Sequence, residues 1–323
     1  MRLAQLGSNG PQISTVGFGS WAAGGPGWEY GWGPQEDDDS IAAIRHAVEG
    51  GVNWVDTAAV YGLGHAEEVV RKALAPYRVG EEVLVLTKCG LNWYGDPTGR
   101  DHTNLRPADI RFEIDQSLRR LGVERIDLYQ FHWPDEETGT AIEESWATMA
   151  ELVSAGKVRY ARVCNFDVSL LERCETIRHV DSLQPPYSLL HVEAAADVIP
   201  WCRAHGTGVI VYSPMGSGLL TGAFSKQRLA ALPADDWRKT DADFQEPFLT
   251  RALQIADGLR GIAGRLGVPT PAVAASWTLR TPGVTGAICG ARHADQVNGW
   301  LPAGDLLLDA DALSAIEALL TAC

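Results

Sequence analysis

Residues 51–62 read Gly-Val-Asn-Trp-Val-Asp-Thr-Ala-Ala-Val-Tyr-Gly, and the order of residue types in them decides how the rest of the chain is read. A short apolar run from Gly51 to Val55 ends in a carboxylate, Asp56, and Tyr61 follows on a loop closed by Gly62. A strand delivering polar residues to its C-terminal rim has this form; alone, so does a strand followed by a helix cap or turn. Two later runs repeat the arrangement. Val83 to Thr87 ends in Lys88, and Ile126 to Phe131 ends in His132. Asp, Tyr, Lys and His therefore arrive at the C-terminal ends of three successive strands with helical patterns between them, which packing alone does not explain.

The same alternation of apolar runs and helical stripes extends in both directions. Ser8-Asn9-Gly10 carries a two-residue Asn-Gly turn signal and predicts an N-terminal hairpin, after which Ile13 to Gly19 leads into a first strand ending at Gly19-Ser20-Trp21. Gly24 to Pro34 is too long and aromatic for a plain connector. Asp37, Asp38 and Asp39 offer N-caps for a helix striped with Ile41, Ile44 and Val48 and stopped by Gly50-Gly51. A helix over Ala66 to Ala75 follows, then the strand ending at Lys88, then a polar and aromatic loop from Leu91 to Arg106. Pro107 opens a helix striped with Ile110, Ile114, Leu118 and Leu121, ended by Gly122. Beyond the strand at His132 lies a helix carrying Ile142, Trp146, Met149 and Val153. Further strands are predicted at Val158 to Asn165, Ser182 to Gln184, Gly208 to Tyr212 and Val284 to Cys289. Helices are predicted at Leu170 to Ile177, around Trp201 with its end at Gly206, and at Phe248 to Leu266, Ala272 to Leu279 and Asp309 to Leu320. Ser213 to about Gln245 keeps no period, and a loop of that size in a compact domain is usually functional. Eight strand and helix repeats without a linker predict one domain over 1–323, of the α/β class: a (β/α)8 TIM barrel with an N-terminal β-hairpin and long loops on its C-terminal face. An open doubly wound sheet would advertise G-x-G-x-x-G after its first strand, and none is present.

The formal net charge of -14 and isoelectric point near 5.0 argue against nucleic acid or anionic membrane as a partner, because both need clustered Lys and Arg. Any phosphate must be held locally. Met1 to Gly7 has no apolar h-region, and no window approaches the ~20 apolar residues of a membrane span, so a cytoplasmic location is expected. The six cysteines, at 89, 164, 174, 202, 289 and 323, form no C-x-x-C pair. They read as thiols in a reducing compartment, with neither a disulfide framework nor a metal site. Nothing in the sequence marks an oligomer interface.

Barrel enzymes of this kind work at the C-terminal rim, where Asp56, Tyr61, Lys88 and His132 all fall. A phenol ionises at about 10. A neighbouring Lys88 ammonium is expected to pull that value down while Asp56 holds the lysine in place, making Tyr61 a general acid or base, with His132 orienting the incoming oxygen. Such parts suit protonation of a carbonyl oxygen while a hydride reaches its carbon. Lys88 at a strand end is also compatible with a Schiff-base aldolase or a rim salt bridge, and His132 beside Trp133-Pro134 with a structural histidine.

The chain resembles the aldo-keto reductase family from Gly17 to about Trp300. The resemblance rests on G-F-G-S-W (17–21), D-T-A-A-V-Y-G (56–62), T-K-C-G (87–90), S-L-R-R-L-G-V-E-R-I-D-L-Y-Q-F-H (117–132), C-N-F (164–166), Q-P-P-Y-S (184–188), Y-S-P-M-G-S-G-L-L-T-G (212–222) and G-A-R-H-A-D-Q-V (290–297). The S-L-R-R-L and G-L-L-T-G runs are most similar to bacterial members. The resemblance implies a catalytic tetrad of Asp56, Tyr61, Lys88 and His132, with Tyr61 as proton donor. It implies a cofactor, NADPH or NADP+ in preference to NADH, met at the first strand by Gly19, Ser20 and Trp21. Cys164, Asn165 and Gln184 would lie at the nicotinamide carboxamide, Tyr212 would stack on its ring, and Ser213, Pro214, Gly218 and Leu219 would line the pyrophosphate. Gly290, Ala291 and Arg292 would face a 2′-phosphate, and Gln296 and Trp300 the adenosine. A helix start after Gly290-Ala291-Arg292 favours phosphate on its own account. The implied partner is a small carbonyl substrate. Some relatives with this barrel serve instead as cofactor-binding regulatory subunits with little turnover.

Two departures stand out. Where the family has G-V-S-N-F this chain has Arg162-Val163-Cys164-Asn165-Phe166; Cys164 replaces a serine of the carboxamide site, and Arg162 places a charge in the barrel wall. Trp300 stands where many relatives have an asparagine, and stacking is the expected substitute. The rim is rich in aromatics, and Trp21, Trp28, Trp93 and Trp133 are the candidates for touching substrate, as an apolar pocket or a platform for a sugar.

Overall fold

The computed structural model describes residues 1–94, 101–234 and 236–322. Eight parallel strands close into a barrel in chain order. They are Val16–Gly19, Trp54–Asp56, Leu84–Cys89, Ile126–Phe131, Val158–Cys164, Ser182–Gln184, Gly208–Val211 and Val284–Gly290, so each apolar run of the sequence is a barrel strand. Alternation splits every run between two environments. Trp54, Leu84, Leu86, Leu128 and Ile210 point into the barrel, whereas Val55, Val85, Tyr129, Phe131, Val163 and Leu183 belong to the shell beneath the helices. Both faces are buried, which is why these strands read as largely apolar runs.

The N-terminal hairpin, Leu3–Gln5 against Gln12–Ser14, plugs the lower end, sending Leu6 and Ile13 into the interior cluster. Trp54 forms the floor above them, its indole N–H donating to the Ser14 carbonyl at 2.7 Å. This ring is the reason for glycine at position 17, where a Cβ would lie 2.1 Å from it. The hairpin connection is not the two-residue turn expected at Asn9-Gly10. Leu6 N–H bonds the Pro11 carbonyl at 3.0 Å, and the left-handed residue of the loop is Gly7, with φ 66°. Gly7 abuts the backbone of Gly206 and Gly208, so a tertiary contact overrides the local turn preference.

Helices Pro107–Leu121 and Val198–His205 end on left-handed Gly122 and Gly206, as the sequence predicts. In helix Asp37–Glu49, the cap position falls on Glu36, which makes no side-chain cap bond. The three aspartates expected as caps lie in the first turn, where their charge suits the helix dipole, and Asp37 pairs with His65 and Lys72. The loop after Lys88 contains a short hairpin, Leu91–Asn92 with His102–Thr103. Between Ser213 and Gln245 the chain folds into one short α-helix, Lys226–Ala231, and the 3-10 segments Gly216–Thr221, Trp237–Lys239 and Ala242–Phe244 among the described residues, each too short to leave a helical period. No described helix is long and apolar enough to cross a membrane.

Two carboxyls are buried behind the strand that carries Lys88. Glu67 bonds Arg120 at 2.5 Å and Thr87 at 2.6 Å. Glu113 accepts the Gly90 N–H on both oxygens at 3.2 Å, and burial pushes its carboxyl from 4.5 up to about 8. A group whose folded pKa is raised contributes stability that is complete below its unfolded pKa and lost as pH rises through the folded one. The fold is therefore expected to lose stability between about pH 5 and pH 8 through Glu113. Glu113→Gln, which keeps an oxygen for Gly90, should flatten that decline in Tm by several degrees; an unchanged slope would refute the assignment.

Candidate active site

Asp56, Lys88 and His132 close three adjacent strands whose register, Asp56 opposite Leu86 and Lys88 opposite Gln130, sets their mutual position at the rim. An ammonium has three hydrogens to donate, and Lys88 uses each of them. Its Nζ donates to Asp56 Oδ1, to the Thr57 carbonyl at 2.8 Å and to the Tyr61 hydroxyl at 3.2 Å. Asp56 Oδ2 accepts the Gln184 amide at 2.9 Å, and both members of the ion pair are almost wholly buried. Tyr61 is held from the other side by a close backbone approach. Gly62, with φ 61°, lies against Gly24, and a Cβ there would sit 2.1 Å from the Gly24 carbonyl.

The Tyr61 ring is walled by Trp21, 6.3 Å away and stacked, by Trp28 at 5.9 Å and by His132 at 5.7 Å edge-on. Burial pushes the phenol well above its usual pKa, and the Asp56 charge adds to the effect. This reverses the expectation that Lys88 lowers it, because the ammonium is shared with Asp56 and desolvation dominates. Burial, and then the Lys88 charge, hold the His132 imidazole well below its usual pKa, so the ring is neutral and able to donate an N–H. The site thus presents a protonated phenol and a neutral imidazole to one point of the rim. Tyr61, accepting from Lys88, keeps its own O–H to give.

Strands five to seven bring a second group together. Asn165 Nδ2 donates to the His132 carbonyl at 3.1 Å and to Cys164 Sγ at 3.2 Å, and the Tyr212 hydroxyl donates to Asn165 Oδ1 at 2.9 Å. The Cys164 thiol faces Gln184 Oε1 at 3.7 Å, and burial pushes it up to about 12. Asn165 and Ser213, next to strands five and seven, and Ser217 have φ of 62°, 54° and 50°. Left-handed backbone at non-glycine residues is strain that surrounding structure must hold in place, and it concentrates at binding sites.

The remaining expected residues divide. Gly19 and Gly290 are register partners at the rim, and the Ser20 N–H bonds the Asp56 carbonyl at 2.9 Å. Pro214 is buried and Gly218 is left-handed, while the Leu219 side chain belongs to the core, so only its backbone is available to a ligand. Arg292, following buried Ala291, donates through Nε to Gln35 at 2.7 Å and through Nη2 to the Pro34 carbonyl. Gln296 accepts the Arg292 N–H at 2.8 Å. Trp300 does not offer a stacking face: it is 1% exposed and packs against Phe18 at 6.4 Å, so it is core. Of the substrate candidates, Trp21 and Trp28 touch Tyr61, and Trp133 is 44% exposed beside His132. Trp93 stacks instead on Tyr94 at 4.4 Å and lies under the Arg120 guanidinium, making no ring contact with Tyr61 or Trp21 among the described residues.

Some site contacts carried no sequence signal. The Thr57 carbonyl that fixes Lys88 is backbone, and Gln184 reaches Asp56 across 128 positions. Trp237, one aromatic among many in the sequence, stacks on Trp21 at 5.1 Å and meets Trp32 at 5.5 Å. This clasp ties the long segment after strand seven to the turn after strand one.

Comparison with known proteins agrees with this geometry. The Aldo/keto reductase family profile matches residues 15–321. The aldo-keto reductase YhdN of Bacillus subtilis is 34% identical over 93% of this chain and 89% of its own length. The NADH-specific methylglyoxal reductase of Escherichia coli is 31% identical over 97% of this chain and 96% of its own. Among solved structures, the glycerol dehydrogenase AKR11B4 of Gluconobacter oxydans superposes with a TM-score of 0.87 at 34% identity, covering 99% of this chain and 95% of its own.

Proposed function

The chain belongs to the aldo/keto reductase family and is an oxidoreductase acting on carbonyl and alcohol groups, and on that premise we propose that it reduces a small aldehyde or ketone with NADPH, Tyr61 giving the proton to the carbonyl oxygen. One observation carries the reading: Lys88 spends its hydrogens on Asp56, Thr57 and the Tyr61 oxygen, which leaves the phenol hydrogen free for substrate. A phenol whose pKa is raised stays protonated at neutral pH, and an alkoxide is a strong enough base to take its proton. His132, neutral, donates a second hydrogen bond to the same oxygen and fixes its approach.

The residues present fit a nicotinamide dinucleotide. Asn165 and Gln184 bring amide groups to the ends of strands five and six, and Ser20 Oγ is buried without a partner among the described residues. At Gly218, φ is 101° and nothing lies within 4 Å of where a Cβ would be, as backbone that receives a pyrophosphate requires. When bound, the reduced nicotinamide supplies the hydride. The chain's part is to hold the carbonyl between Tyr61 and His132 and to exclude water with the Trp21 and Trp237 clasp. Trp21 and Trp28 beside Tyr61 favour a flat, uncharged substrate; the relatives named for glycerol and methylglyoxal also act on small uncharged molecules. The direct test is loss of NADPH absorbance with an aromatic aldehyde, and NADPH binding without turnover of any aldehyde or ketone would overturn the proposal.

Preference for NADPH rests on Arg292, whose charged neighbours are Arg238, Asp236 and Arg228; Arg238 is paired with Asp236, so Arg292 and Arg228 supply the surplus positive charge there. Arg292→Ala is expected to weaken NADPH binding roughly 10- to 100-fold, the worth of a charge-assisted phosphate contact, and NADH binding little. Equal losses for the two cofactors, measured by fluorescence titration, would place this chain with its NADH-specific relative.

A further inference from the structure

Arg162 lies inside the barrel, below the tetrad. Its neighbours in sequence, Ala161 and Val163, belong to the outer shell, so alternation turns Arg162 inward, and its side chain is 0% exposed. It is opposite Gln130 on strand four and Ser182 on strand six, both also 0% exposed. Among the described residues, all three guanidinium nitrogens, both amide atoms of Gln130 and the Ser182 hydroxyl have no hydrogen-bond partner. Six polar atoms on three strands at one level of a barrel are thus unsatisfied together, where each buried orphan is costly. Charge is unbalanced as well. Among the described residues, the side chains directed inward bring two cations, Lys88 and Arg162, against one carboxylate, Asp56. Asp56 is the carboxylate whose charge reaches Arg162, but its oxygens are engaged by Lys88 and Gln184 and it makes no hydrogen bond to the guanidinium among the described residues.

We propose that the middle of the barrel is a binding site for a small monovalent anion of the chloride class, held by the Arg162 guanidinium with the Gln130 amide and the Ser182 hydroxyl. The Arg162 guanidinium, the Gln130 Nε2 and the Ser182 hydroxyl supply hydrogens, the bound charge balances the interior, and the Gln130 Oε1, which an anion does not satisfy, is left for guanidinium hydrogens that the halide does not use. The site lies next to Asp56, whose charge reaches Arg162, but it uses none of the substrate or cofactor side chains and does not depend on the reductase reading.

The test is a crystal structure of the full chain grown with sodium bromide replacing chloride, with data collected at the bromine edge. An anomalous peak within hydrogen-bonding distance of Arg162, absent from Arg162→Met, is the expected result. Water alone at that position, or a guanidinium whose hydrogens all go to protein acceptors, overturns the proposal. Should Arg162→Met fail to fold, Ser182→Ala reads the same site in solution. At constant ionic strength the native Tm should be ~3 °C or more higher in saturating chloride than in gluconate, and the difference should shrink in Ser182→Ala. Equal native values in the two salts also overturn it.

Discussion

Tyr61→Phe is expected to lower kcat for carbonyl reduction by ~10²–10⁴-fold, the usual worth of a positioned general acid, while NADPH affinity changes less than about threefold. The ring remains, so its contacts with Trp21, Trp28 and His132 are kept, and the loss isolates the hydroxyl. Because that hydroxyl accepts one of the Lys88 hydrogens at 3.2 Å, phenylalanine also leaves a donor unused, and a small fall in Tm should accompany the rate effect. Steady-state kinetics with an aromatic aldehyde, paired with a cofactor titration, measure both. A mutant within tenfold of the native rate would remove Tyr61 as the acid. The pH profile adds an independent reading. Burial holds the Tyr61 pKa above and the His132 pKa below their ordinary values, so neither group titrates near neutrality in the free protein, and kcat/KM should be flat between about pH 6 and pH 8.

Lys88→Met should be the most destabilising single change at the rim. It leaves the Asp56 carboxylate buried with Gln184 as its remaining side-chain donor, and breaking a buried pair from one side costs ~3–5 kcal/mol. For a barrel of this size the fall in Tm is on the order of 10 °C. Adding Asp56→Asn removes the stranded charge, so the double mutant should regain a substantial part of the lost stability and none of the activity. That contrast separates the two jobs of the pair, neutralising itself and presenting Tyr61. A Lys88→Met protein within about 1 kcal/mol of native by denaturant unfolding would show that the pair is not electrostatically closed, and a borohydride-trapped adduct on the native lysine would give Lys88 a different chemistry altogether.

The strands were legible because a parallel barrel buries both of their faces. The run from Val83 to Leu86 is apolar, and although Asp127 and Gln130 interrupt the run from Ile126 to Phe131, Asp56, Lys88 and His132 each fall at the end of a largely apolar run, where function sits. Helix stops at Gly122 and Gly206 were equally plain, since the left-handed cap is a local requirement. Local signals failed where a distant partner intervened. Asn9-Gly10 has the chemistry of a tight turn, yet packing of Gly7 on Gly206 and Gly208 selects a longer loop. Asp37 can cap a helix, yet Lys72 and His65 claim it. Trp300 and Trp93, grouped with the site by position, are drawn to Phe18 and Arg120.

What the sequence determined by itself is therefore the barrel, its order of elements and the meeting of Asp56, Tyr61, Lys88 and His132, because each follows from where polarity interrupts an apolar run. The tertiary structure decided how those groups are charged and what lies beneath them. Whether Lys88 or burial governs Tyr61, and whether Arg162 finds a carboxylate, depend on which side chains the stagger of eight strands brings to one level of the barrel. Gln130, Arg162 and Ser182 meet there through a register that hydrogen bonds between strands fix and that no spacing along the chain records.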